Sequence, residues 1–157
     1  MMHESFTLAA PAYSIYWFGP IHFNPDMKHL PLVAGILLGI LFIMSSSVVL
    51  FGFAPTPEIP EGTPVAHFMS AFGPTGYMTF VKVFEMLGGI LVAIPLTRNL
   101  GLLILGPIIV NILAFHLFVA GDGIFSPMLI GICLLALFLI WSDRKRWLNL
   151  VIRSGTP

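Results

Sequence analysis

The chain reads as all-α: an integral membrane four-helix bundle with a short interfacial amphipathic helix between spans one and two. Three observations predict this. Of the 157 residues, 57% are hydrophobic and only 9% charged, and the mean hydropathy is +0.97, a balance foreign to water-soluble domains. The apolar residues gather into four continuous runs of about 20, the length that crosses a hydrocarbon core. None of the runs alternates with the period of two that barrel strands need, which leaves helices to satisfy the backbone polar groups in lipid.

Taken in order, residues 1–31 predict a cytoplasmic interfacial segment. Tyr13, Tyr16, Trp17 and Phe18 are rings suited to a membrane interface, interrupted by Gly19-Pro20 and Pro25. The segment lacks the basic start and unbroken apolar core of a secretory signal, so it is expected to be mature sequence. The membrane domain covers 32–141, and its first span is expected over Leu32 to Phe53. The Pro-rich connection after it cannot be helical throughout, but Thr63 before Pro64 is an N-cap with proline in the first turn. Val65, Phe68, Met69 and Phe72 then recur on one helical face, with His67 and Ser70 on the other, up to Gly73-Pro74. Such a helix should lie on the outer surface, apolar face down, as a packing plug or a mobile lid.

Span two is expected over Tyr77 to Leu96, span three over Leu100 to Ala120 and span four over Phe125 to Trp141. The connections Thr97-Arg98-Asn99 and Gly121-Asp122-Gly123 are too short for anything but antiparallel hairpins. Residues 142–157 form a basic cytoplasmic tail. Lys28, Arg98, Arg144, Lys145, Arg146 and Arg153 all fall on one side of this plan, so both termini are expected in the cytoplasm, with Glu58, Glu61 and Asp122 outside. A zero net charge gives no footing to a nucleic acid partner. Membrane lipid and either a larger membrane complex or a second copy of the chain are the expected partners. Cys133 is the single cysteine, which excludes an intramolecular disulfide or a thiolate cluster. The histidines show no ligand spacing, and no metal site is expected.

Lys82 is the one basic residue inside a span, and Glu85 lies three residues on. Ionised groups in hydrocarbon cost several kcal/mol unless paired or facing a wet cavity, and this spacing puts both on one helix face. Counting about 1.5 Å of rise per residue from each outer end brings Lys82, Glu85, Asn111, His116, Ser46 and Cys133 into one layer in the outer half of the membrane. Asn111 and His116 are about 140° apart around their helix, so one is expected to face span two and the other span four. Two readings fit the layer. The groups either bond one another as interhelical glue, or line a cavity roofed by the Pro64 to Phe72 helix, with His116 as a proton relay. Gly35, Gly39, Gly88 and Gly89 are expected to permit close helix approach.

The run from Lys82 to Phe118, KVFEMLGGILVAIPLTRNLGLLILGPIIVNILAFHLF, resembles the DoxX-like family of small four-span membrane proteins. The resemblance rests on Lys82, Glu85 and Gly89 in one span, the connection with Arg98, and Asn111 followed by His116 in the next. It implies a quinone-facing or hydrophobic-ligand-binding subunit of a membrane redox system in the bacterial inner membrane. Quinone or lipid is the implied ligand, and no cofactor is intrinsic to the chain. With few redox-capable groups of its own, the chain would need a partner to supply electron transfer. The rival expectation is a non-catalytic accessory subunit that packs against a larger membrane complex.

Overall fold

The computed structural model describes residues 29–53, 58–123 and 125–152. The aromatic segment from Tyr13 to Phe18, together with Lys28 and Arg153, lies outside the described residues. What is described is helical throughout, and each helix begins and ends for a local reason.

Helix α1 (Leu30–Phe51) has proline in its first turn and stops at Gly52, whose φ of 66° closes it with an N–H to the Val48 carbonyl. That cap ends the helix before Phe53, two residues short of the expected span. Helix α2 (Pro64–Phe72) starts as the sequence predicts: the Thr63 hydroxyl accepts from the Ala66 N–H at 3.2 Å. Val65, Phe68 and Met69 are half-buried, while His67 and Ser70 are exposed. Gly73-Pro74 does not stop the chain but tightens it into a 3₁₀ turn over Gly73–Thr75. Gly76, at φ 75°, then swings it through 84° into α3 (Tyr77–Ala93).

The end of α3 falls three residues before the expected Leu96 because Pro95 forces Ile94 out of the helical region, to φ −91° and ψ 120°. Helix α4 (Arg98–Phe115) begins two residues earlier than expected and passes into a π-turn, His116–Ala120, which Gly121 closes at φ 69°. Helix α5 (Pro127–Ser142) starts late, at Ser126-Pro127, where the serine hydroxyl accepts from the Leu129 N–H. The expected basic tail is itself partly helical: α6 (Arg144–Ile152) follows α5 after Asp143, and its Trp147 packs against the core.

By length and composition, α1 and the stretch Arg98–Ala120 can each cross a membrane alone, with 22 and 23 residues. The pair Pro64–Thr75 and Tyr77–Ala93 passes that test only together, and Pro127–Ser142 is a shorter apolar helix. The proline stops that shorten α3 and α5 are the reason.

Helix α3 packs chiefly on α1 and α4, and α5 on α1 and α4, so the four long helices close a ring. Glycines set the two tightest crossings. A Cβ on Gly39 would lie 2.6 Å from the Gly89 carbonyl, and one on Gly101 would press on the Val92 backbone and on the Gly88 carbonyl. This is the close approach that small residues allow between helices. Between these crossings sit Leu38, Val92, Leu105 and Leu139, all fully buried. Large apolar side chains cover the outside as well, among them Val33, Phe80, Leu87, Val110, Leu134 and Leu137.

At the Arg98 end of the bundle lies a second polar cluster. Arg98 is only 6% exposed, and Asp143 and Arg146 lie within electrostatic reach of it. Arg98 Nε, Asn99 Oδ1, Asp143 Oδ2 and Trp147 Nε1 are covered and have no hydrogen-bond partner among the described residues. They are two donors and two acceptors, a matched set.

Candidate functional site

The opposite end of the bundle holds a cavity of about 310 Å³, close to the lower limit of roughly 300 Å³ for ligand pockets. Its walls come from all four long helices, and α2 contributes Phe68 and Met69. Phe68 meets Phe115 edge-on, with centroids 5.1 Å apart. That contact joins α2 to the top of α4, so the short helix sits where the sequence predicts a roof. Leu41, Phe42, Met78, Phe115 and Ile132 make most of the lining apolar.

The polar part of the lining is Ser45, Tyr77, Lys82, Glu85, Asn111, His116 and Ser126. On α3 the predicted pair is formed: Lys82 Nζ donates to Glu85 Oε2 at 2.7 Å. The ammonium also donates to Ser45 Oγ across on α1, at 3.3 Å. Glu85 is 2% exposed, so the carboxylate is buried with its counter-ion, the arrangement in which a buried charge is tolerated. The pair is neutral as a unit, and the cavity wall gains polarity without net charge.

Ser46 is not part of this wall. It is fully buried and its hydroxyl bonds back to the Phe42 and Ile43 carbonyls of its own helix, the usual resting place of a mid-helix serine. Its neighbour Ser45 faces Lys82 instead. The depth count could not separate the two, because a one-residue step turns a helix face by about 100°. Cys133, expected in the same layer, packs against the core cluster while Leu129 and Ile132 line the cavity on α5. Asn111 and His116, expected to face different neighbours, both border the same cavity, since it spans the space between α3 and α5 beneath α2. Asn111 has no hydrogen-bond partner among the described residues.

His116 has a partner that no helical spacing announces. Its Nδ1 lies 2.9 and 3.2 Å from the two carboxylate oxygens of Asp122. The π-turn and the two glycines flanking Asp122, at φ 69° and 77°, fold the connection back over the end of α4. Facing an ionised carboxylate, which only accepts, Nδ1 carries the proton and donates. Nε2 is left as the ring nitrogen free for another molecule. Ser126 was also missed as a cavity residue, although its place before Pro127 marks it as a cap. The signal for Asp122 was the Gly-Asp-Gly turn six residues after a histidine, a spacing that only a tight reversal can use.

Comparison with known proteins adds one relative. An uncharacterized protein of Bacillus subtilis (strain 168), YwoB, is 35% identical over 100 residues, which make up 60% of this chain and 62% of that protein. The match therefore spans about three fifths of each. No protein-family model and no solved structure matches the chain.

Proposed function

We propose that this chain is a DoxX-like four-span protein of the bacterial inner membrane whose cavity holds a quinone or other lipid-like molecule for a membrane redox system. The observation that carries the reading is the cavity of about 310 Å³, apolar over most of its wall, with Lys82, Glu85, Asn111 and His116 all in its lining. A mostly apolar pocket with a few convergent polar groups is the form of a small-molecule site. Ionisable side chains at membrane depth are functional candidates by default.

Four spans are supported by the outward faces of α3 and α5. Phe80, Leu87 and Ile90 on α3, and Leu134, Leu137 and Ile140 on α5, are exposed along the length of each helix. At 17 and 16 residues they reach about 25 Å, short of the roughly 30 Å core. Flanking helices and local bilayer thinning accommodate such a mismatch. Arg98, Arg144, Lys145 and Arg146 lie at one end of the ring and Asp122 at the other, which supports cytoplasmic termini. A larger membrane complex, or a second copy, would supply the electron-transfer partner.

The test is thermal denaturation of the detergent-purified chain with a short-chain quinone analogue. A site-bound ligand at about 100 times its Kd stabilises by roughly 2.7 kcal/mol, so the melting temperature should climb with occupancy. No shift, together with a stoichiometric partner that co-purifies, would leave the accessory-subunit reading in its place.

A further inference from the structure

The polar lining of the cavity differs from an anion site in a way that names its ligand chemistry. Its cation, Lys82, already donates to Glu85 at 2.7 Å and to Ser45 at 3.3 Å, and the pair is neutral. A carboxylate or phosphate would find no free charge there. Asp122 holds the proton of His116 on Nδ1, so in the neutral imidazole Nε2 presents a lone pair. The other charged or titratable groups near it are few. Tyr77, Lys82 and Glu85 face the same cavity from α3, α2 brings only the exposed His67, and α1 and α5 bring the hydroxyls of Ser45 and Ser126. None of these competes for Nε2. Asn111 adds an amide with no partner among the described residues.

We propose that the cavity selects an uncharged lipophile that carries a hydroxyl group, held by donation of that hydroxyl to His116 Nε2, with Asp122 as the residue that sets the imidazole tautomer. The inference rests on the ligand-binding reading above and deepens it. A hydroxyl is an uncharged group that donates, which is what an acceptor nitrogen in a mostly apolar wall asks for. The apolar walls take a ring or short chain, and a volume of about 310 Å³ limits its size. Asp122 does not line the cavity, so its part is positioning.

The experiment titrates para-butylphenol and its methyl ether, para-butylanisole, into the detergent-purified full chain at about pH 8.5, where imidazoles are neutral. The readout is the ratio of the two affinities. Partition into detergent is the same for every variant, so changes in the ratio report the protein. In the wild type, the phenol should bind about five to ten times more tightly, the effect of one net hydrogen bond. Asp122→Asn lets the amide donate to Nδ1 or accept from it, so the tautomers mix. The ratio should then fall to about two, because the Nε2–H tautomer donates to the ether oxygen as well as to the phenol's and raises the anisole affinity. His116→Phe should abolish the preference.

Equal binding of phenol and ether by the wild type would overturn hydroxyl selection and leave the ligand cavity standing. A preference undiminished in Asp122→Asn would overturn the role given to Asp122. If neither compound binds, the ligand-binding reading falls together with this one.

Discussion

Glu85→Ala should destabilise the folded bundle by about 3 kcal/mol, and adding Lys82→Ala should return most of that loss. The pair lies within one helix, three residues apart, so it can persist when the helices separate in a denaturing micelle. Its own attraction therefore cancels in large part between the folded and separated states. The penalty arises instead from the single variant, in which Lys82 stays inside the bundle without its carboxylate. Breaking a buried pair by removing one partner costs roughly 3 to 5 kcal/mol. The lower end applies because the Lys82 side chain is 15% exposed, borders the cavity and keeps Ser45 at 3.3 Å. The double variant carries neither charge and loses only packing, about 1 kcal/mol. Equilibrium unfolding of the four proteins in a graded mixture of mild and denaturing detergent, followed by helix–helix contact fluorescence, gives the cycle. The double variant should be about 2 kcal/mol more stable than Glu85→Ala, and because Lys82→Ala alone strands the buried Glu85 carboxylate at a cost of about 3 kcal/mol, the coupling should be about 5 kcal/mol in the restoring direction; additivity within about 0.5 kcal/mol would refute the argument that a lone buried charge is what the single variant suffers from.

Two further expectations are independent of the cavity. Gly101→Ala should cost about 1 to 3 kcal/mol, because its Cβ would meet backbone atoms of Val92 and Gly88, which cannot rotate away. Gly106→Ala on the same helix meets nothing within 4 Å and should be neutral or stabilising by up to about 1 kcal/mol; the same unfolding assay compares them, and equal effects would contradict the packing of α3 on α4. For topology, single cysteines at positions 61 and 145 in a Cys133→Ser background should react with an impermeant maleimide only from outside and only from inside the cell, respectively. Labelling of position 145 from outside would reverse the assignment of the basic end.

Much of the site was readable because it depends on local spacing. The Lys82–Glu85 pair needs only three residues of helix, and the start of α2 needs only Thr63 before Pro64. The roof was visible because α2 is the one segment in the membrane region whose faces differ in polarity. Asp122 was overlooked for the opposite reason: its approach to His116 depends on a π-turn and two glycines in the left-handed region, a backbone path that neither helical nor strand periodicity encodes. Pro95 and the Ser126-Pro127 step were plain in the sequence, yet hydropathy alone extended the spans across them.

The amino-acid sequence by itself determined that this chain is helical, where α2 and α3 start, that its helices are apolar, and that a Lys–Glu pair is placed in the middle of an apolar run. The tertiary structure alone decided which side of each long helix faces inward, and with it the choice of Ser45 over Ser46, the exclusion of Cys133 from the cavity, and the burial of Arg98. The physical reason is that lipid and bundle core are equally apolar. A soluble helix announces its inward face by contrast with its wet one, whereas α1, α4 and α5 carry apolar residues all round, and on α1 and α4 the inward side is the one where glycine lets two backbones touch.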